Sequence, residues 1–93
     1  MSTTLEAKPR TAPPARARNY KVLLHNDDVN DMGYVVKCLL KCVPQLSPER
    51  AVRIMHETHL QGTGLVIVCD QEPAEFYSES LKSCGLRSSI EPD

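Results

Sequence analysis

Met32, Val35, Val36, Leu39, Leu40 and Val43 recur at i, i+3, i+4, i+7, i+8 and i+11. That spacing lines one face of a helix with apolar groups and demands a surface to cover it. Just upstream, Tyr20, Val22 and Leu24 alternate with Lys21, Leu23 and His25, the two-residue period of a strand. Asn26-Asp27-Asp28 ends the strand, and a polar turn runs on through Asp31, which is placed to cap the helix. Pro44 stops it, since proline has no N–H to continue the ladder.

The same signals divide the remainder of the chain. Ser47-Pro48-Glu49-Arg50 supplies an N-cap, a proline at the first helical position and an acidic first turn, so a second helix starts there. It buries Ala51, Ile54, Met55 and Thr58 and stops at Gly62. The run Leu65-Val66-Ile67-Val68-Cys69 is too apolar for a one-sided strand and is expected inside the sheet. Residues 71–84 read as a third helix, with Pro73 in its first turn and Gly85 past its end,. Leu86 to Ile90 makes a short last strand. The expected fold is α+β, in the order β-α-α-β-α-β: a three-stranded antiparallel sheet packed against three helices.

Residues 1–18 hold Pro9, Pro13 and Pro14, and beyond the starting Met1 only Leu5 is a large apolar residue. Such a segment cannot bury enough surface to offset its ordering entropy, so the sequence predicts a disordered tail over 1–18 and one domain over 19–93. The tail carries a formal charge of +3 and residues 19–93 a charge of −4. An acidic folded part argues against nucleic acid, whose binding neutralises phosphates. No apolar run approaches the ~20 residues that span a bilayer, and the start MSTTLEAKPR lacks the apolar stretch of a secretory signal. The chain therefore reads as a cytoplasmic monomer without membrane contact. Its four cysteines, Cys38, Cys42, Cys69 and Cys84, read as small buried groups rather than a disulfide framework.

Three constellations carry possible chemistry. Cys38-x3-Cys42 and His56-x2-His59 imitate a zinc-ligand spacing. The histidine gap is short for that role and the pairs fall on different helices, so no metal is expected. Asp27, Asp28 and His59 could exchange protons, yet nothing marks an activated nucleophile or an oxyanion hole. Gly62-Thr63-Gly64 is explained by a helix stop and a turn. Neither enzymatic activity nor a cofactor is expected. The third reading is a binding pocket. Asn26, Asp27 and Asp28 cluster at a strand end, Leu24 and Asn26 share a strand face, and His59 lies four residues from Met55. An apolar floor with an Asn/Asp/His rim would suit an ammonium group joined to a hydrophobic side chain. A solvated turn and a core-edge histidine account for the same residues taken singly.

The string Tyr20-Lys21-Val22-Leu23-Leu24-His25-Asn26-Asp27-Asp28, with Met32 and Val35-Val36 after it, resembles the opening of the ClpS family. Residues 51–62, AVRIMHETHLQG, resemble that family's second helix in its Met-x-x-x-His-x-x-Gly pattern, and Leu86 to Glu91 its last strand. The resemblance implies an adaptor that captures N-degron proteins by a free N-terminal Leu, Phe, Tyr or Trp. It would deliver them to the N-terminal domain of a ClpA/ClpC-type AAA+ unfoldase of the Clp protease. By the same resemblance Asn26 and His59 hydrogen-bond the substrate α-amino group, Asp28 assists, and Asp27 belongs to the same acidic patch. Leu24, Asn30, Met32, Val35, Met55, Thr58 and Leu86 line the side-chain pocket, with Met32 a gate against β-branched residues. Glu72 matches the acidic residue presented to the unfoldase. The resemblance also implies that the tail is the part engaged in delivery.

Asn30 stands where the family often has Thr, and Thr58 where it often has Val; both alter polarity near the pocket. Tyr77 replaces a basic unfoldase contact. The third helix is shorter than in many members, and a His-Pro before the last strand is missing. These departures resemble a cyanobacterial or plastid branch, with ClpC as partner and, for a plastid-derived chain, the stroma as location. The alternative reading is an α/β interaction domain of the same build without N-degron recognition.

Overall fold

The computed structural model describes residues 19–93, so the expected tail over 1–18 lies outside the described residues. The order is β1 (Tyr20–His25), α1 (Met32–Cys42), α2 (Pro48–Gln61), β2 (Thr63–Cys69), α3 (Gln71–Ser83) and β3 (Arg87–Pro92). The three strands form one antiparallel sheet in the order β2-β1-β3. Helix α2 packs on β2 and α3 on β1 and β3, while α1 rests on the other two helices. Val22, Leu24, Leu39, Val43, Ala51, Ile54, Val66 and Leu81 are almost wholly removed from water between these layers.

Capping chemistry sets the helix ends. Asp31 accepts from the Tyr34 N–H at 2.9 Å, and Ser47 from the Arg50 N–H at 3.1 Å, each satisfying an otherwise orphan donor. Gly62 and Gly85 both have φ of 90°, a conformation that costs glycine nothing. At Gly85 the result is a Schellman motif. The Leu86 N–H reaches back to the Leu81 carbonyl at 3.1 Å and the Gly85 N–H to Lys82 at 2.9 Å,. Leu86 thereby spends its N–H on the helix cap, and β3 begins one residue later than the sequence predicts.

The apolar run 65–69 is not inside the sheet. Among the described residues β1 is the central strand and β2 is an edge, paired only with β1. A bulge lets an edge strand carry so apolar a run: Val22 faces Ile67 while Leu23 faces Leu65, leaving Val66 as an extra residue. A bulge turns two consecutive residues towards one face, so Val66 is buried and Ile67 packs on the core beside it. Leu65 pairs with Leu23 on the open face, and Val68 is 39% exposed. One covered face thus absorbs a sequence that reads as two-sided.

Candidate functional site

The C-terminal end of β1 feeds a loop whose shape Asp27 dictates. Its Oδ1 accepts from the backbone N–H groups of Val29 and Asn30, each at 2.9 Å, and both carboxylate oxygens accept from Asn30 Nδ2 at 3.3–3.4 Å. The Asn30 backbone bond, with those from Val29 and the Asn30 side chain and the nearby Arg87 charge, holds the Asp27 carboxyl below its ordinary pKa against the opposing effect of burial,. Asn30 Nδ2 also donates to the Gly85 carbonyl at 3.0 Å. All of these neighbours are acceptors, so the amide must turn its NH2 towards them, leaving Oδ1 as its unused acceptor. Asn30 therefore ties the β1–α1 loop to the α3–β3 turn.

Asn26 is anchored through its backbone. Its N–H donates to the Gly62 carbonyl at 3.0 Å, and its carbonyl accepts from Arg87 Nη1 at 3.2 Å. This stitches the strand end to the end of α2, where His59 occupies the last turn. The side chains of Asn26, Asp28 and His59 have no hydrogen-bond partner among the described residues and are left to face whatever enters.

What they surround is a cavity of about 350 Å³, lined by Leu24, His25, Asn26, Asp27, Asp28, Asn30, Asp31, Met32, Val35, Met55, Thr58, His59 and Leu86. All eleven residues that the sequence assigns to an amino-group rim and a side-chain pocket meet there. Leu24, Met55, Thr58 and Leu86 are buried, while Met32 is 42% exposed at the margin. His25 and Asp31 also line it without having been singled out. His25 Nε2 lies 2.6 Å from Ser89 Oγ and Asp31 caps α1, so strand parity and capping explain both positions. Glu72 is exposed in the first turn of α3, away from the cavity. The volume sits at the small end of the ~300–1,000 Å³ usual for ligand pockets: room for one side chain and its amine, not a peptide.

Thr58 is less polar here than its type implies. Its Oγ1 donates to the Ile54 carbonyl at 2.8 Å, on the side of Gly64, so the methyl is what remains to face the cavity. The cysteines and histidines do not converge. Cys42 Sγ lies 3.4 Å from Cys84 Sγ, while His59 stands at the cavity rim.

A family model described as ATP-dependent Clp protease adaptor protein ClpS matches residues 15–89. The chain belongs to the ClpS family. It is 61% identical over 87 residues to the ATP-dependent Clp protease adapter protein ClpS of Synechococcus elongatus, covering 92% of each chain. It is 44% identical over 89 residues to the chloroplastic adapter protein CLPS1 of Arabidopsis thaliana, covering 96% of this chain and 53% of that one. Among solved structures it is similar to Agrobacterium tumefaciens ClpS2 bound to L-phenylalaninamide, with a TM-score of 0.77 and 28% identity over 84% of this chain and all of that one. No helix among the described residues is long and apolar enough to cross a membrane.

Proposed function

We propose that this ClpS-family chain receives the N-terminal residue of a substrate protein in the 350 Å³ cavity and delivers that protein to a ClpA/ClpC-type unfoldase. The observation that carries the reading is the pairing of three polar side chains, without hydrogen-bond partners among the described residues, with an apolar floor. Asn26, Asp28 and His59 stand at the rim, and Leu24, Val35, Met55 and Leu86 lie below. A free α-amino group is cationic and needs acceptors; the side chain beside it needs a dry cavity. L-phenylalaninamide, held by the Agrobacterium relative, has that chemistry: an amine, an apolar side chain, and an amide in place of the next peptide bond. Asp27, engaged within the loop, adds negative charge and sets the positions of its neighbours.

Hydrogen bonds to a charged group contribute roughly 1.5–3 kcal/mol each, and burying a large apolar side chain roughly 1.5–3 kcal/mol more. After association entropy, affinity on the order of micromolar follows, which suits an adaptor that must release its cargo. No bond is made or broken, so the role is non-enzymatic and needs no cofactor. Cyanobacterial and chloroplast relatives support a place in the cytoplasm or the plastid stroma; ClpC as the partner and a monomeric adaptor are what the resemblance implies.

The test is fluorescence anisotropy with peptides beginning in Leu, Phe, Tyr or Trp. His59→Ala should weaken all of them by a similar factor, about 10- to 100-fold for one charge-assisted bond, and N-acetylation should do the same to wild type. Equal binding of free and acetylated peptides sinks the reading.

A further inference from the structure

Two thiols that the cavity does not use face each other behind it. Cys42 is the last residue of α1 and Cys84 caps α3; their sulfurs are 3.4 Å apart and both side chains are half-buried. The carbonyls of the turn that follows are held from the other side. Tyr34 Oη donates to the Cys84 carbonyl at 2.5 Å, Asn30 Nδ2 donates to the Gly85 carbonyl at 3.0 Å, and Leu86 lines the cavity. Leu86 is therefore the one residue of this turn that lines the cavity, and the thiol pair two residues before it is where the turn meets α1.

We infer that Cys42 and Cys84 form a dithiol site that oxidises to an intramolecular disulfide, fastening α1 to the α3–β3 turn. The sulfurs must close by a little over an ångström to reach the ~2.05 Å of an S–S bond, a motion within reach of side-chain rotation at half-buried positions. The oxidant is a small-molecule disulfide. One cysteine thiolate attacks its sulfur and expels one thiol, and the second cysteine attacks the mixed disulfide and expels the other. Two cysteine thiols and one small disulfide become one protein disulfide and two small thiols, with the protons lost by the cysteines taken up by the leaving thiolates. Burial, with Cys84 next to it, pushes the Cys42 thiol up to about 11, so the exchange is slow at neutral pH. Cys38 is the competing partner on α1, but it is only 4% exposed.

The sequence makes the test decisive, because Lys41 separates the two α1 cysteines. The native full-length protein is equilibrated with oxidised glutathione at mildly alkaline pH, alkylated, digested with trypsin without reduction and analysed by mass spectrometry. Peptide 42–50 joined to peptide 83–87, released by dithiothreitol, is the expected product. The oxidised protein should also melt about 10 °C higher, as a cross-link over a long loop restricts the unfolded chain. Cys42→Ser should abolish the cross-link and Cys69→Ser should leave it. Glutathione adducts without a cross-link, peptide 38–41 joined to 83–87, or a lowered melting temperature would each overturn the inference. The wild-type peptide map decides it even where a variant fails to fold.

Discussion

Gly64 pairs with Leu24 across the sheet and lies under the last turns of α2. A Cβ there would sit 2.2 Å from Thr58 Oγ1, 3.0 Å from the Ile54 carbonyl and 3.3 Å from the Thr58 nitrogen. The first contact forces Thr58 to rotate, which breaks its 2.8 Å bond to Ile54 at a cost of about 1 kcal/mol. The second is with backbone, so α2 must also lift from β2, an overpacking cost of about 1–3 kcal/mol. Against this, alanine removes about 0.5–1 kcal/mol of unfolded-state freedom. Gly64→Ala should therefore destabilise by about 1–3 kcal/mol in urea unfolding. It should also weaken every N-degron peptide, because the Thr58 methyl leaves the cavity wall. The discriminating measurement is a double-mutant cycle. In a Thr58→Ala background the 2.2 Å contact is gone, and the Gly64→Ala penalty should shrink by about 1 kcal/mol. Penalties that add to within about 0.5 kcal/mol would refute the claim that this glycine exists to let Thr58 turn its hydroxyl away from the cavity.

Asp27→Asn should cost about 1 kcal/mol at neutral pH, since Asn30 loses its carboxylate. A depressed folded pKa means that the stabilisation is present above the ordinary carboxylate range and lost as pH falls through the folded value,; the gap in melting temperature between variant and wild type should close in acid, and a constant gap would count against it. Met32→Ala should open the cavity margin to Ile and Val at some expense in Leu affinity; an unchanged Leu-to-Ile ratio in titrations places the gate elsewhere. Glu72→Lys should weaken docking on the unfoldase without changing peptide anisotropy. Removal of residues 1–17 should likewise spare peptide affinity while slowing degradation of an N-degron reporter by the reconstituted protease; full degradation would leave the tail a passive appendage.

Caps and periodicity made the elements legible. Asp31, Ser47, Gly62 and Gly85 act within a few residues of themselves, so their neighbours in sequence suffice. The edge position of β2 was hidden because an apolar run reports how many side chains are covered, not which strand lies beside them; the bulge at Val66 changes the count without changing the composition. Residue types alone left the rim of Asn26, Asp28 and His59 balanced between a pocket and a solvated turn. The family resemblance grouped them, and the fold puts them around one cavity. The direction of the Thr58 hydroxyl and the approach of Cys42 to Cys84 depend on contacts between distant elements, for which one chain carries no local signal.

On the proposed reading, capture and delivery fall at opposite ends of the sheet. The cavity lies at the His25 end of β1, while at the opposite end Tyr20 pairs with Cys69 and with Pro92. Cys69 leads straight into Asp70 and the first turn of α3, which carries Glu72. The Asn19 carbonyl accepts from the Asp93 N–H at 2.9 Å, so both ends of the described chain meet at that far end. Five residue steps along a strand span about 17 Å, roughly twice the ~8 Å over which exposed charges act at physiological ionic strength. A charge reversed at Glu72 would therefore be screened from an amine bound at the cavity rim as proposed. On the proposed reading, an unfoldase that docks at Glu72 would approach the end of the sheet opposite the cavity. One covalent route between the two ends runs along α3, which carries Glu72 in its first turn and ends at Ser83, just before the turn that brings Leu86 to the cavity.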